Sequence, residues 1–276
     1  MATNQLVPNP KDVGALYDQF DNKGVLHFGY WDSLDDDTPI EQAADRLTDQ
    51  VAARLDLKPG TSLLDVGSGM GTPAVHLATN WPVEITGITI SERQVRESTE
   101  LAKAKGLADR VRFHLADAMR MPFPDASFDA AYALESIIHM DRPVALREMA
   151  RVVRPGGRIV LTDLYDRTDG SAGERSLIHF LADAWLMSPL IGRDDYPGLA
   201  AEAGLEVVEV LDVSENVLWK TLSMLDQQLR SNDRSLVPDV IVDSLGEEQR
   251  DDLLHTPGAI ENAKELGCLL VTLRRP

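Results

Sequence analysis

The chain has 276 residues, 43% of them hydrophobic, a mean hydropathy of −0.17 and a formal charge of −18. It carries enough apolar material for one large core, is too polar for a membrane protein, and is too acidic to gather a phosphate backbone or an anionic lipid surface. Cys268 is the only cysteine, which excludes an intrachain disulfide and a cysteine-based metal cluster.

The first ten residues, MATNQLVPNP, show neither the basic nor the apolar region of a secretory signal, and no apolar run reaches the roughly 20 residues of a membrane span, so a cytoplasmic location is expected. A weak helix over 13–20 precedes an aromatic cluster, His27-Phe28-Gly29-Tyr30-Trp31, which either plugs the rim of a core or faces a substrate. Thr38-Pro39-Ile40-Glu41 reads as a capping box, and Ile40, Ala44, Leu47, Val51 and Leu55 continue it at helix spacing until Lys58-Pro59-Gly60. From there short β-branched runs at 62–66, 83–89, 111–115, 128–134 and 158–163 alternate with helical segments, the pattern of a parallel sheet covered on both faces. Ser91-Glu92-Arg93-Gln94 opens one of these helices as a second capping box, and Arg154-Pro155-Gly156-Gly157 closes another. Beyond Asp163 the spacing predicts a helix at 174–187, a short helix ending near 203, a strand at 205–213, helical pieces at 217–230 and 247–254, and a last strand at 268–273 that buries Cys268.

Three glycines at alternate positions follow the first strand in Asp65-Val66-Gly67-Ser68-Gly69-Met70-Gly71. They let the backbone approach a ligand at the carboxyl edge of the sheet, where parallel folds place ligands. The third glycine comes one position too early for a dinucleotide fingerprint. Asp65, two residues before the first glycine, suits a cationic ligand better than a pyrophosphate.

With Asp117-Ala118 and the Arg-Pro-Gly-Gly turn, this motif resembles the class I S-adenosylmethionine-dependent methyltransferases, closely over 38–163 and loosely elsewhere. Segments 27–31, 85–91 and 134–140 are similar to the small-molecule methyltransferases of natural-product pathways, sugar O-methyltransferases of the rebeccamycin type foremost and tocopherol C-methyltransferases more distantly. The resemblance implies a Rossmann-like α/β fold, a seven-stranded, mostly parallel sheet with helices on both faces, within one domain spanning 1–276. A cap segment at 1–37, a cofactor core at 38–163, a lid at 164–204 and C-terminal strands with a helical insertion at 205–276 would divide it.

It also implies S-adenosylmethionine as cofactor, with the backbone of Gly67, Ser68 and Gly69 beside its methionine part, Asp65 near its ammonium, Asp117 and Ala118 on the adenine, and Leu134 among its contacts. The family's usual ribose-binding acid at the end of the second strand is Thr89 here, which moves that contact to Gln94 and the backbone around Ile90. His139 and Asp163, both beyond the carboxyl edge, are implied as general base and its carboxylate partner for methyl transfer to a hydroxyl, with no metal required. His27, Tyr30, Trp31, Phe180 and Trp185 would form an apolar pocket for a glycosylated or polycyclic acceptor. Carbon methylation assisted by Glu135, Tyr30 and Trp31, and a non-catalytic S-adenosylmethionine-binding role, are the competing expectations. The sequence leaves the assembly open, a homo-oligomer included.

Overall fold

The computed structural model describes residues 7–19, 26–168, 182–183, 185–224 and 264–276. Helix α1 (Pro10–Tyr17) and helix α2 (Ile40–Ala52) precede an alternating series: β1 (Ser62–Val66), α3 (Thr72–Asn80), β2 (Glu84–Thr89), α4 (Glu92–Ala104), β3 (Val111–Leu115) and β4 (Ala130–Ala133). A single 3-10 turn (Ile137–His139) then leads to α5 (Arg142–Val152) and β5 (Arg158–Asp166), followed by α6 (Tyr196–Glu202), β6 (Glu206–Asp212) and β7 (Leu266–Arg274).

The strands form one seven-stranded sheet in the order β3-β2-β1-β4-β5-β7-β6. Strands β1 to β5 are mutually parallel, and β7 runs antiparallel to both β5 and β6. Parallel strands buried on both faces need apolar residues at successive positions. Leu63 packs with α2 and α3 in one core cluster while its neighbour Leu64 packs with α5 and α6 in the other. The predicted strand at 158–163 is three residues longer because Leu164, Tyr165 and Asp166 keep pairing with Cys268, Gly267 and Leu266. Cys268 is fully buried in β7, as expected of a small hydrophobe.

Both expected capping boxes are altered. Thr38 gives its hydroxyl to Asp36 Oδ1 (2.6 Å), so α2 starts after Pro39 with no side-chain cap. Ser91 does cap α4, accepting from Gln94 N at 3.0 Å, but the Gln94 side chain turns into the sheet edge rather than back to Ser91. Phe180, most of the expected helix at 174–187, part of 217–230 and all of 247–254 lie outside the described residues. No helix among the described residues is long and apolar enough to cross a membrane.

Candidate active site

At the carboxyl edge of β1 the chain turns sharply through the glycines. Gly67 N and Ser68 N both donate to Ile88 O on the neighbouring strand, at 2.9 and 2.8 Å. Gly67 has φ +77°, and a Cβ there would lie 2.3 Å from Ser136 Cβ. Glycine is therefore required at this position by the packing of the β4 loop beneath the turn, rather than by the ligand space that the motif alone suggests.

The turn opens into a cavity lined by Asp65, Gly67, Ser68, Gly69, Thr89, Ile90, Gln94, Asp117, Ala118, Leu134, His27 and His139, so every residue expected to hold the cofactor lies in one place. Helix α1 contributes Pro10, Val13, Gly14 and Tyr17 to the same cavity, and Met70, Met119 and Met140 add apolar surface. Thr89 donates its hydroxyl to Gln94 Oε1 (2.5 Å), which leaves the amide NH₂ of Gln94 as the end available to a ligand. Asp117 Oδ1 accepts from Met119 N at 2.8 Å, so the carboxylate shapes its own turn while facing the cavity.

Two carboxyl groups are incompletely satisfied. Asp65 Oδ2 and Glu135 Oε1 are buried without a hydrogen-bond partner, although Glu135 Oε2 accepts from Phe28 N at 2.8 Å. Glu135 also holds a left-handed backbone, φ +52°, stabilised by its N–H to Thr162 Oγ1 (2.8 Å). Burial raises Asp65 to about 7, with Tyr132 pulling down, and raises Glu135 to about 8, with the Phe28 N–H pulling down. Burial also lowers His27 to about 4, opposed by the Phe28 carbonyl. It lowers His139 to about 4 as well; the Leu186 carbonyl and Asp163 act upward and Arg142 downward. Burial thus shifts all four groups toward their neutral forms, and a cationic ligand beside Asp65 would reverse that shift there. An orphaned carboxylate oxygen at the foot of a glycine turn fits the ammonium of an amino-acid cofactor.

His139 does not pair with Asp163. Its Nδ1 bonds Leu186 O (3.0 Å) and its Nε2 bonds the Tyr17 hydroxyl (2.9 Å). The Asp163 carboxylate is instead gripped by Arg142 through Nε and an Nη at 2.7 and 2.8 Å, and it accepts the Tyr196 hydroxyl at 2.6 Å. Arg142 opens α5 and Tyr196 opens α6, so this buried cluster pins two helices to the end of β5. Removing the negative member of a buried pair costs about 3–5 kcal/mol. Asp163→Asn should therefore lower the urea midpoint strongly; normal stability with turnover alone lost would return Asp163 to the chemistry.

Three expected substrate contacts also move. Trp31 is fully buried, donates Nε1–H to Thr38 O (2.9 Å), donates its backbone N–H to Asn216 O and accepts from the Asn216 side-chain amide at its own carbonyl, so it is a core plug. Tyr30 and Trp185 are half-buried and pack against the α2–α3 core, outside the cavity lining. Tyr17 is the partner that sequence reasoning missed, since one tyrosine in a weak amphipathic helix gives no signal of a contact 122 residues away.

A seven-stranded sheet of this order, with a glycine turn, an orphaned acid and a buried imidazole at one edge, defines a cofactor-binding transferase. A family model described as a methyltransferase domain matches residues 64–161. The O-methyltransferase cnsE of Penicillium expansum is 36% identical over 97% of this chain and 94% of its own length. The 27-O-demethylrifamycin SV methyltransferase of Amycolatopsis mediterranei is 41% identical over 75% of this chain and 78% of its own. Among solved structures, the [4+2]-cyclase SpnF superposes with a TM-score of 0.78 at 31% identity, covering 98% of this chain and 97% of that one. The chain belongs to the S-adenosylmethionine-dependent methyltransferase family. It is an enzyme of the natural-product branch that uses S-adenosylmethionine and methylates a small molecule.

Proposed function

We propose that the enzyme methylates a hydroxyl group of a glycosylated or polycyclic metabolite, with His139 as the terminal base. The observation that carries this reading is the 3.0 Å hydrogen bond between His139 Nδ1 and the Leu186 carbonyl. Leu186 O only accepts, so Nδ1 bears the proton and Nε2 holds a basic lone pair inside the cavity that Asp65 and the glycine turn share. Bound S-adenosylmethionine supplies an electrophilic methyl group on a positively charged sulfur. Asp65 would meet its ammonium, Gln94, Thr89 and the Ile90 backbone its ribose, and Asp117 with Ala118 its adenine; Gly67 to Gly69 and Leu134 would line the path of the methionine part.

A base held near pKa 4 is adequate here, because a hydroxyl proton becomes strongly acidic as its oxygen bonds to carbon. The names of the relatives support an oxygen acceptor, and the apolar lining from Val13, Leu26 and three methionines suits a large, weakly polar one. A second reading, methylation at carbon, draws on Glu135, whose buried, unpartnered Oε1 would steady a transient cation if the carboxyl is ionised. Labelled methyl donor and hydroxylated polyketides or glycosides distinguish the two. The product should carry the label on oxygen, with turnover unchanged in excess EDTA. Label on carbon, or activity lost in chelator and restored by Mg²⁺, would overturn the reading.

A further inference from the structure

The lone pair that makes His139 a base is already engaged. With the Nδ1 proton committed to Leu186 O, the 2.9 Å contact at Nε2 has one polarity, the Tyr17 hydroxyl donating to the imidazole. The tyrosine ring stands edge-on to the imidazole, with centroids 5.3 Å apart and planes at 81°, and both side chains line the cavity. An acceptor hydroxyl that is to give its proton to Nε2 finds that lone pair already taken by the phenol.

Displacing Tyr17 would mean moving α1, which is docked beside it. Asp18, the next residue, accepts the Ser91 hydroxyl at 2.5 Å, and its carbonyl accepts from Arg93 at 2.6 Å. A Cβ on Gly14, one turn earlier, would sit 3.5 Å from Ile90 O, so helix and loop are in close backbone contact. The position of Tyr17 is therefore set by the helix that roofs the cavity.

We propose that Tyr17 is a catalytic proton relay between the acceptor hydroxyl and His139, an inference that rests on methyl transfer to oxygen. As the O–CH₃ bond forms, the S–CH₃ bond breaks and its electron pair goes to sulfur. The acceptor's proton passes to the Tyr17 oxygen while the Tyr17 proton passes to Nε2, so tyrosine ends the step neutral and His139 ends it as imidazolium. The imidazolium then returns its proton to solvent. Charged and titratable groups acting on this pair come from several elements: Glu135 after β4, Arg142 on α5 and Asp163 on β5. Burial first, and Glu135 second, hold the Tyr17 phenol well above its ordinary value, which keeps it protonated before the step.

The test is Tyr17→Phe in the full chain, which removes one oxygen atom and keeps the ring. Turnover should fall about 100-fold or more, and the Tyr17→Phe/His139→Ala double variant should be no slower than the worse single. S-adenosylhomocysteine affinity, the control for folding, should stay within about twofold of wild type. In mixtures of H₂O and D₂O the wild-type rate should fall along a curve, two protons moving together, whereas the variant's should fall on a line. Turnover equal to or faster than wild type would show that Tyr17 merely stands in front of the base and must leave, and would overturn the relay. An acceptor-free measurement separates this from the reaction itself. ¹⁵N spectra of the S-adenosylhomocysteine complex should show His139 protonated on Nδ1, with its pKa raised in Tyr17→Phe, because a donor to the neutral ring is lost. A proton on Nε2 would refute the relay whatever the acceptor. An intact Nδ1–H tautomer in an enzyme that methylates no oxygen would fail the proposed reaction, and the relay with it.

Discussion

His139→Ala is expected to cut turnover by about 10²- to 10⁴-fold while leaving S-adenosylhomocysteine affinity close to wild type. The imidazole is buried and hydrogen-bonded through both ring nitrogens, so its loss removes the proton acceptor and vacates a packed position in the same cavity. Circular dichroism and the affinity control separate the chemical effect from a folding one. The pH dependence follows from the same burial. With His139 lowered to about 4, the base is neutral throughout the physiological range, and the acid limb of turnover should fall well below the 6.5 of an ordinary histidine. A His139→Ala variant of normal speed would remove His139 from the reaction, and an acid limb at or above 6.5 with cofactor saturating would show that burial does not hold the base neutral.

Gly67→Val should abolish measurable cofactor binding. For S-adenosylhomocysteine a dissociation constant of order micromolar, about −8 kcal/mol, is expected in the wild type. A β-branched residue must adopt φ +77° and drive its Cβ into Ser136, whose own hydroxyl is fixed at 2.5 Å on Val66 O. The turn has little room to yield, because Gly67 N and Ser68 N are both tied to Ile88 O. Ser136→Gly in the same chain removes the clash but not the backbone strain, so it should restore binding only in part. Full affinity in the single variant would show that the turn does not shape the site.

The sheet and its glycine turn were legible because their signals are local. Continuous apolar runs specify strands buried on both faces, and Asp65 to Gly71 shares one strand and one turn. Every expected cofactor residue lines the cavity because each one sits within a few residues of a strand's carboxyl end, where the register places it automatically. Legibility failed where side chains choose among partners. Asp163 and His139 both lie beyond the same edge, but Arg142 is one helix start away, and a guanidinium fork outcompetes a neutral imidazole for a buried carboxylate. Trp31 looks like a pocket aromatic by composition, yet its indole N–H finds Thr38 O and seals the core. The Tyr17–His139 bond spans the fold and depends on how α1 docks, which periodicity does not encode.

The measurement that bears most directly on the site is titration of S-adenosylhomocysteine into the full-length chain between pH 6 and 8. Asp65 is raised to about 7 by burial and must be ionised to pair with the ligand's ammonium. At pH 6 binding should therefore expel close to one proton, and affinity should rise about tenfold by pH 8, where the carboxylate is already charged. Calorimetry in two buffers of different ionisation enthalpy counts that proton directly, and Asp65→Asn should erase both the proton release and the pH dependence. Affinity that is flat, or that weakens as pH rises through 7, with no proton released at pH 6, would contradict the assignment of Asp65 to the cofactor.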